Sequence, residues 1–220
     1  HSDDDGLVLP PKIASSHVVL LPIIRKVDDR SRVMEFTESL AKELKDRFFC
    51  GRGLEVEIDD REIGGARGWD WIKKGIPIRV EIGPRDIDDN SVFVGRRDRA
   101  HNDKKSFKRD SFIKQVTEIL AEIQGSLFER ALMFRKLHSV TIEDKKNFID
   151  FFTPENKEKP EIHGGFASSC WCGSKECELK IKQELGVSIR CVPLFSIKEK
   201  GRCIYCGEPA KYRVIFAKAY

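Results

Sequence analysis

Six of the seven cysteines crowd into the last 51 residues: Cys170, Cys172, Cys177, Cys191, Cys203 and Cys206, with Cys50 alone upstream. Cys172 and Cys177 form a C-x4-C pair, Cys203 and Cys206 a C-x2-C pair, and 25 residues separate the two. At such spacings each pair can close a short knuckle with both sulfurs inward, and two knuckles complete a tetrahedral zinc site of four thiolates. Gly173 and Gly207 follow knuckle cysteines, where a residue without Cβ lets the backbone fold around sulfur. Four thiolates leave no open coordination position, so the expected zinc is structural. Cys170 competes with Cys172 on spacing alone and Cys191 belongs to no pair. Both are expected to be bystanders, Cys191 as a buried thiol in an apolar strand. The competing reading is a group of reduced, partly buried cysteines; with no secretory signal opening the chain, a disulfide framework is the weaker explanation.

A second constellation lies upstream. Arg79, Glu81, Arg85, Arg96 and Arg97, with Trp69 and Trp71 nearby, combine cationic forks, an acceptor and flat aromatic surfaces. Those parts can splay and read single-stranded bases: rings stack, and Arg donates two hydrogen bonds to guanine O6 and N7. The alternative for the same residues is a solvated strand face in which Glu81 pairs with Arg79 or Arg85.

The elements that must hold these groups follow from periodicity. Val18–Ile24 is an apolar, β-branched run suited to a buried parallel strand. Val33, Phe36, Leu40, Leu44 and Phe48 recur at three and four, which predicts an amphipathic helix over Ser31–Phe48. Leu54–Ile58 alternates as a strand. Gly64-Gly65 and Gly68 mark a turn before a short helix over Trp69–Lys74. Pro77–Ile82 is a strand with Arg79 and Glu81 on one face and Ile78, Val80 and Ile82 on the other. Gly83-Pro84-Arg85-Asp86 is expected to be a turn, Ser91–Gly95 a strand, and Asp103–Arg109 a loop. A long helix from Phe112 reaches towards His138, and a further helix covers Thr141–Phe151 with Thr141 and Asp144 near its first turn. Thr153–Pro160, with two prolines, reads as a linker. Strands alternating with helices over 17–150 argue for an α/β domain.

Of 220 residues, 40 are Lys or Arg and 36 are Asp or Glu, a net charge of +4. Ten of the basic and six of the acidic residues lie from Pro160 onward, so the first 159 carry 30 of each sign. A neutral domain cannot hold a polyanion by bulk charge, so nucleic-acid binding there must rest on local basic clusters. No apolar run approaches the ~20 residues of a membrane helix. A soluble, cytoplasmic protein with no membrane partner is expected.

The string GIPIRVEIGPRD at 75–86, followed by VGRRD at 94–98, resembles the anticodon-binding domain of class II aminoacyl-tRNA synthetases, and specifically prolyl-tRNA synthetases of the archaeal and eukaryotic type. HSDDDGLVLPPKIA at the N-terminus resembles the end of that family's catalytic domain. The CWCGSKECE context resembles its C-terminal zinc domain, and FAKAY its terminal tyrosine. The resemblance implies a mixed-sheet α/β anticodon-binding domain followed by a small α+β zinc domain. The divisions are 1–16, the tail of the catalytic domain; 17–152, the anticodon-binding domain; and 153–220, the zinc domain. It implies the C-terminal part of an enzyme that activates proline with ATP and Mg2+ and transfers it to tRNA(Pro), inactive alone and homodimeric when complete. Proline anticodons share two guanines, and Trp69, Asp70, Arg79, Glu81, Arg85 and Arg97 are assigned by position to reading them. The family usually carries Pro-Gly-x-aromatic before this helix; Gly64-Gly65-Ala66-Arg67-Gly68 stands here instead. Trp69 therefore substitutes from a shifted position, or the loop is remodelled. Tyr220 is implied to brace the catalytic pocket. Another class of reading is a stand-alone synthetase-like protein that kept the fold for a regulatory partner. A zinc-ribbon transcription or ribosome factor would leave residues 1–150 unexplained.

Overall fold

The computed structural model describes residues 1–62, 66–154, 156, 164–194 and 201–218. They form two compact units, His1–Arg130 and Ala131–Tyr220.

The first unit opens with a small hairpin of β1 (Ser2–Asp3) and β2 (Gly6–Leu7). β3 (Val18–Pro22) leads to a 3-10 turn and α1 (Arg30–Lys45). A second hairpin, β4 (Phe48–Phe49) and β5 (Arg52–Gly53), precedes β6 (Val56–Ile58). α2 (Ala66–Lys73), β7 (Ile78–Ile82), α3 (Pro84–Asp88), β8 (Ser91–Arg96) and β9 (Lys104–Lys108) follow, before α4 (Arg109–Leu137). The main sheet has the order β6-β3-β7-β8-β9. β3 is parallel to both β6 and β7, whereas β8 and β9 add antiparallel. The sheet is mixed, as expected.

Alternation sorts its two faces. Val18, Leu20, Ile78, Val80, Ile82, Val92 and Val94 point into a core shared with Leu40 and Leu44 of α1 and Phe112, Val116 and Leu120 of α4. On the reverse face Val19 and Leu21 pack with Ile76 and Trp71 beside α2. The remainder of that face, over β7, β8 and β9, carries Arg79, Glu81, Phe93 and Lys104.

Two segments depart from the periodicity reading. Lys104–Lys108 is a strand where a loop was expected. As the outermost strand it carries Lys104, Lys105 and Lys108, and edge strands mask their open backbone with lysines, which hides the strand from a hydrophobicity pattern. Pro84–Asp88 is one helical turn rather than a simple turn. Pro84 loses nothing at the first helical position, and the Gly83 N–H donates to Asp86 Oδ2 at 2.8 Å. Gly64 and Gly65 lie outside the described residues.

In the second unit β10 (Ser139–Thr141) occupies the expected start of a helix, and α5 (Lys145–Phe152) begins only at the Asp144 cap, where Asn147 N–H donates to Asp144 Oδ1 at 2.9 Å. β11 (Phe166–Trp171), α6 (Lys175–Leu185), β12 (Val187–Cys191) and β13 (Tyr212–Lys218) complete it. Its sheet runs β10-β11-β13-β12, around a core of Phe148, Phe152, Ile181, Val214 and Phe216. This small α+β unit accords with the expectation for the C-terminal part. Cys191 is a correction: it sits exposed at the end of β12, not buried. Tyr220 and most of the 153–160 segment lie outside the described residues. No described helix is long and apolar enough to cross a membrane.

Candidate nucleic-acid interface and metal centre

Cys172 directly follows β11, and Cys177 sits in the first turn of α6, whose start is capped by Ser174 Oγ accepting from Glu176 N–H at 3.2 Å. Cys203 and Cys206 occupy a tight turn closed by Gly207 N–H donating to the Cys203 carbonyl at 2.9 Å. Gly173 and Gly207 have φ of +85° and +75°, the left-handed region in which glycine follows each knuckle. The four sulfurs converge, all within 4.8 Å of one another. Cys172 Sγ lies 3.7 Å from Cys177 Sγ and 3.8 Å from Cys206 Sγ. Zn–S bonds of about 2.3 Å in a tetrahedron require S···S edges of about 3.8 Å, and a disulfide would require about 2 Å. The donor set therefore fits a closed tetrahedral ion. Neither Cys170 nor Cys191 is in the cluster.

The electrostatics point the same way. Burial and the neighbouring thiols push Cys177 up to about 12. At Cys203 burial acts upward too, but backbone N–H groups, led by that of Cys206, outweigh it and bring the thiol down to about 7. Four thiolates this close repel one another unless a cation sits among them.

On the first unit, the expected base readers are distributed along the reverse sheet face rather than gathered in one place. Arg79 is only 4% exposed, and burial lowers its pKa although Glu81 opposes the shift. Among the described residues its guanidinium makes no hydrogen bond. It lies over Gly95 on β8, where a Cβ would stand 3.1 Å from Arg79 Nη2. Glu81, one repeat along β7, accepts from Lys104 Nζ at 2.5 Å, not from Arg79 or Arg85. Arg85 is presented by the first turn of α3 and makes no ion pair among the described residues. Glu81, Arg85 and Phe93 line one cleft of about 600 Å³ at the carboxyl end of β7, which Arg25 and Lys26 also line.

Arg97, also assigned to base reading, is already engaged. Its guanidinium is buried and its fork is already filled: Nη1 and Nη2 donate to Asp3 at 2.8 and 2.5 Å, and Nε donates to the Ile72 carbonyl at 3.1 Å. It fastens the β1–β2 hairpin to the end of α2. The approach is close enough that Gly6 and Gly75 are required: both have positive φ, and a Cβ on Gly75 would lie 2.7 Å from the Leu7 carbonyl oxygen. Arg96 is likewise occupied, by Asp98 and Glu122. Asp70 accepts from Arg61 at 3.2 Å, and Trp69 lies against His101 at 4.9 Å, at the opposite end of the face from Arg85. Trp71 Nε1 donates to Asp59 at 2.6 Å, and its half-buried ring packs against Val19, Leu21 and Ile76 with Lys74 Nζ 4.1 Å from the ring centre.

Phe93 was missed by sequence reasoning, although a signal exists. Val92 and Val94 point inward, so the residue between them faces outward beside Arg79 and Glu81, where an aromatic has no core to fill. Arg25 and Lys26 carried no such signal, since nothing in their spacing links a loop after β3 to a turn after β7.

Residues 17–119 match the family model described as Anticodon binding domain, and residues 155–220 that described as Prolyl-tRNA synthetase, C-terminal. Over its whole length the chain is 44% identical to a proline–tRNA ligase of Protochlamydia amoebophila (strain UWE25). It is 42% identical to proline–tRNA ligase 2 of Anaeromyxobacter dehalogenans (strain 2CP-C) and 41% identical to a proline–tRNA ligase of Bdellovibrio bacteriovorus. It spans 44%, 44% and 43% of the lengths of these relatives. The chain comprises an anticodon-binding domain and, after it, the C-terminal domain of the prolyl-tRNA synthetase family.

Proposed function

We propose that this chain is the anticodon-reading and C-terminal part of a proline–tRNA ligase, which uses ATP and Mg2+ to activate proline and transfers it to tRNA(Pro) in the cytoplasm, as a homodimer. The observation that carries the reading is a pair of arginine forks, Arg79 and Arg85, without hydrogen-bond partners among the described residues, on a sheet face that also offers Glu81 and Phe93. A guanine supplies what each fork lacks, since its O6 and N7 accept two hydrogen bonds from one guanidinium. A carboxylate accepts from guanine N1–H and N2–H2, for which Glu81 has only to release Lys104. Arg97 and Trp69 act here as structural neighbours of the reading face. In this assignment residues 1–16 belong with the catalytic domain, 17–152 bind the anticodon and 153–220 form the zinc domain. Cys172, Cys177, Cys203 and Cys206 would hold a structural zinc, and its chemistry there is to neutralise four thiolates and cross-link β11, α6 and the turn before β13.

The test is Arg79→Ala or Arg85→Ala in the complete enzyme. Each should raise the KM for tRNA by roughly 5- to 100-fold, the equivalent of ~1–3 kcal/mol, while proline-dependent ATP–pyrophosphate exchange is unchanged. The loss should shrink for tRNA already altered at the guanine concerned. An equal loss for every tRNA would indicate phosphate contact, and no loss at either residue would return the face to a solvated surface. Tyr220 is assigned to bracing the catalytic pocket by resemblance alone; deleting it should slow proline activation without weakening tRNA binding.

A further inference from the structure

Two clefts open side by side at the carboxyl ends of β3 and β7, and they share one wall. The first, of about 600 Å³, holds Glu81, Arg85 and Phe93; the second, of about 690 Å³, lies against Arg30 and Arg61. Ile23, Arg25 and Lys26 line both. Arg25 and Lys26 are exposed, and among the described residues neither side chain makes a hydrogen bond or ion pair. They form a ridge of two uncompensated cations between two basins.

The basins differ in chemistry. In the first, Arg85 has a free donor fork among the described residues. In the second the charges are already matched: Arg30 pairs with Asp60 at 3.0 Å and Glu62 at 3.5 Å, and Arg61 with Asp59 at 2.8 Å. Arg67 is spent on the carbonyls of Pro22, Asp59 and Arg61. The second basin thus offers an apolar floor of Pro22, Ile23 and Ile24, with Val27 at its rim and guanidinium planes at its side, and no free directional reader among the described residues. Such a surface stacks a base without identifying it.

We infer that the Arg25–Lys26 ridge grips the phosphate between two successive anticodon nucleotides, and that the second cleft receives the nucleotide of variable identity beside the guanines. This rests on the anticodon reading above and extends it to a site with a different task. The genetic code requires that division of labour, because proline anticodons fix two bases and leave one free. A reading cleft and a tolerant cleft joined by a phosphate clamp suit such a triplet.

The experiment measures binding of the 220-residue chain to RNA hairpins that carry a proline anticodon loop, by fluorescence anisotropy over a range of salt concentrations. In the double variant Arg25→Ala, Lys26→Ala the slope of log K against log salt should fall by about 0.7, from the one phosphate no longer neutralised on single-stranded RNA. That corresponds to about fivefold weaker binding at 0.1 M salt, converging towards 1 M. A double variant of equal charge loss away from the clefts, Lys12→Ala, Lys114→Ala, should keep the slope. Preference for guanine over adenine should survive in both. A hairpin with an abasic site at the variable position should bind the unmodified chain at least about fivefold more weakly, and this difference should shrink in Val27→Asp, a substitution at an 87% exposed rim position that the fold tolerates. Unchanged slope and no abasic penalty, with guanine preference intact, overturn the ridge and the second cleft alone. Absence of any guanine preference in the unmodified chain overturns the anticodon reading together with them.

Discussion

Gly95→Ala isolates the buried arginine of the reading face. Gly95 does not occupy the left-handed region, so alanine costs nothing in backbone conformation, and in a strand it recovers ~0.5–1 kcal/mol of chain entropy. Its Cβ, however, would stand 3.1 Å from Arg79 Nη2 and 3.4 Å from Lys104 Cγ, where ordinary contacts begin near 3.4 Å. The guanidinium must retreat by a few tenths of an ångström, at an off-rotamer cost of ~0.5–1.5 kcal/mol. Because Arg79 has no hydrogen bond to lose among the described residues, the two effects nearly cancel. Stability measured by urea unfolding should stay within ~1 kcal/mol. Recognition should not be spared, since a forked pair of hydrogen bonds weakens steeply when its donor moves. Losing ~1 kcal/mol of the ~1–3 that a bidentate guanine contact provides lowers guanine-over-adenine preference about fivefold. The assay pairs the urea midpoint with anisotropy titrations of guanine and adenine hairpins. An unaltered preference, or a stability loss above ~2 kcal/mol, would refute the placement of Arg79 as a poised but structurally idle cation.

Asp3→Asn removes the charge that fills the Arg97 fork and should destabilise the first unit by ~1–3 kcal/mol, with tRNA effects that do not depend on base identity. The Arg97 hydrogen bonds hold the Asp3 carboxyl below its ordinary 3.8, so its contribution is present above pH 3.8 and lost as pH falls through the lower folded-state value. The stability difference between the chain and Asp3→Asn should therefore close in acid urea titrations. Elemental analysis should find one zinc per chain, lost in Cys203→Ser and kept in Cys191→Ser. Gly75→Ala and Gly51→Ala share the left-handed penalty of ~1–2 kcal/mol. Only Gly75 also meets the Leu7 backbone, so only its variant should show the further ~1–3 kcal/mol of overpacking in thermal or urea unfolding.

The cysteine cluster and the α/β frame were legible because their signals are local. Two knuckle spacings bring four thiols together almost regardless of context, and Val18–Pro22 or Ile78–Ile82 can be little else than buried strands. The reading face was only half legible. Alternation put Arg79 and Glu81 on one side of β7, but no pattern in the chain says which carboxylate has already filled an arginine fork. Arg97 looked free because its partner, Asp3, is 94 residues away and sits in a two-residue strand. The alternative reading paired Glu81 with an arginine nearby in sequence; its partner is Lys104, from a strand that its lysines disguise as a loop. Tertiary pairing decides these assignments, and it leaves no period in the sequence.

That outer strand also governs how the molecule meets its own kind. A second copy laid against β9 would bring Lys105 and Lys108 within about 5 Å of identical lysines, the spacing of neighbouring strands. At 0.1 M salt the screening length is about 10 Å, so such charges still repel, while at 1 M it contracts to about 3 Å and the repulsion fades. These charges disfavour the addition of a sixth strand beside β9. Edge-to-edge pairing through β9 is thereby disfavoured in dilute salt, and strong brine is the condition in which it should begin.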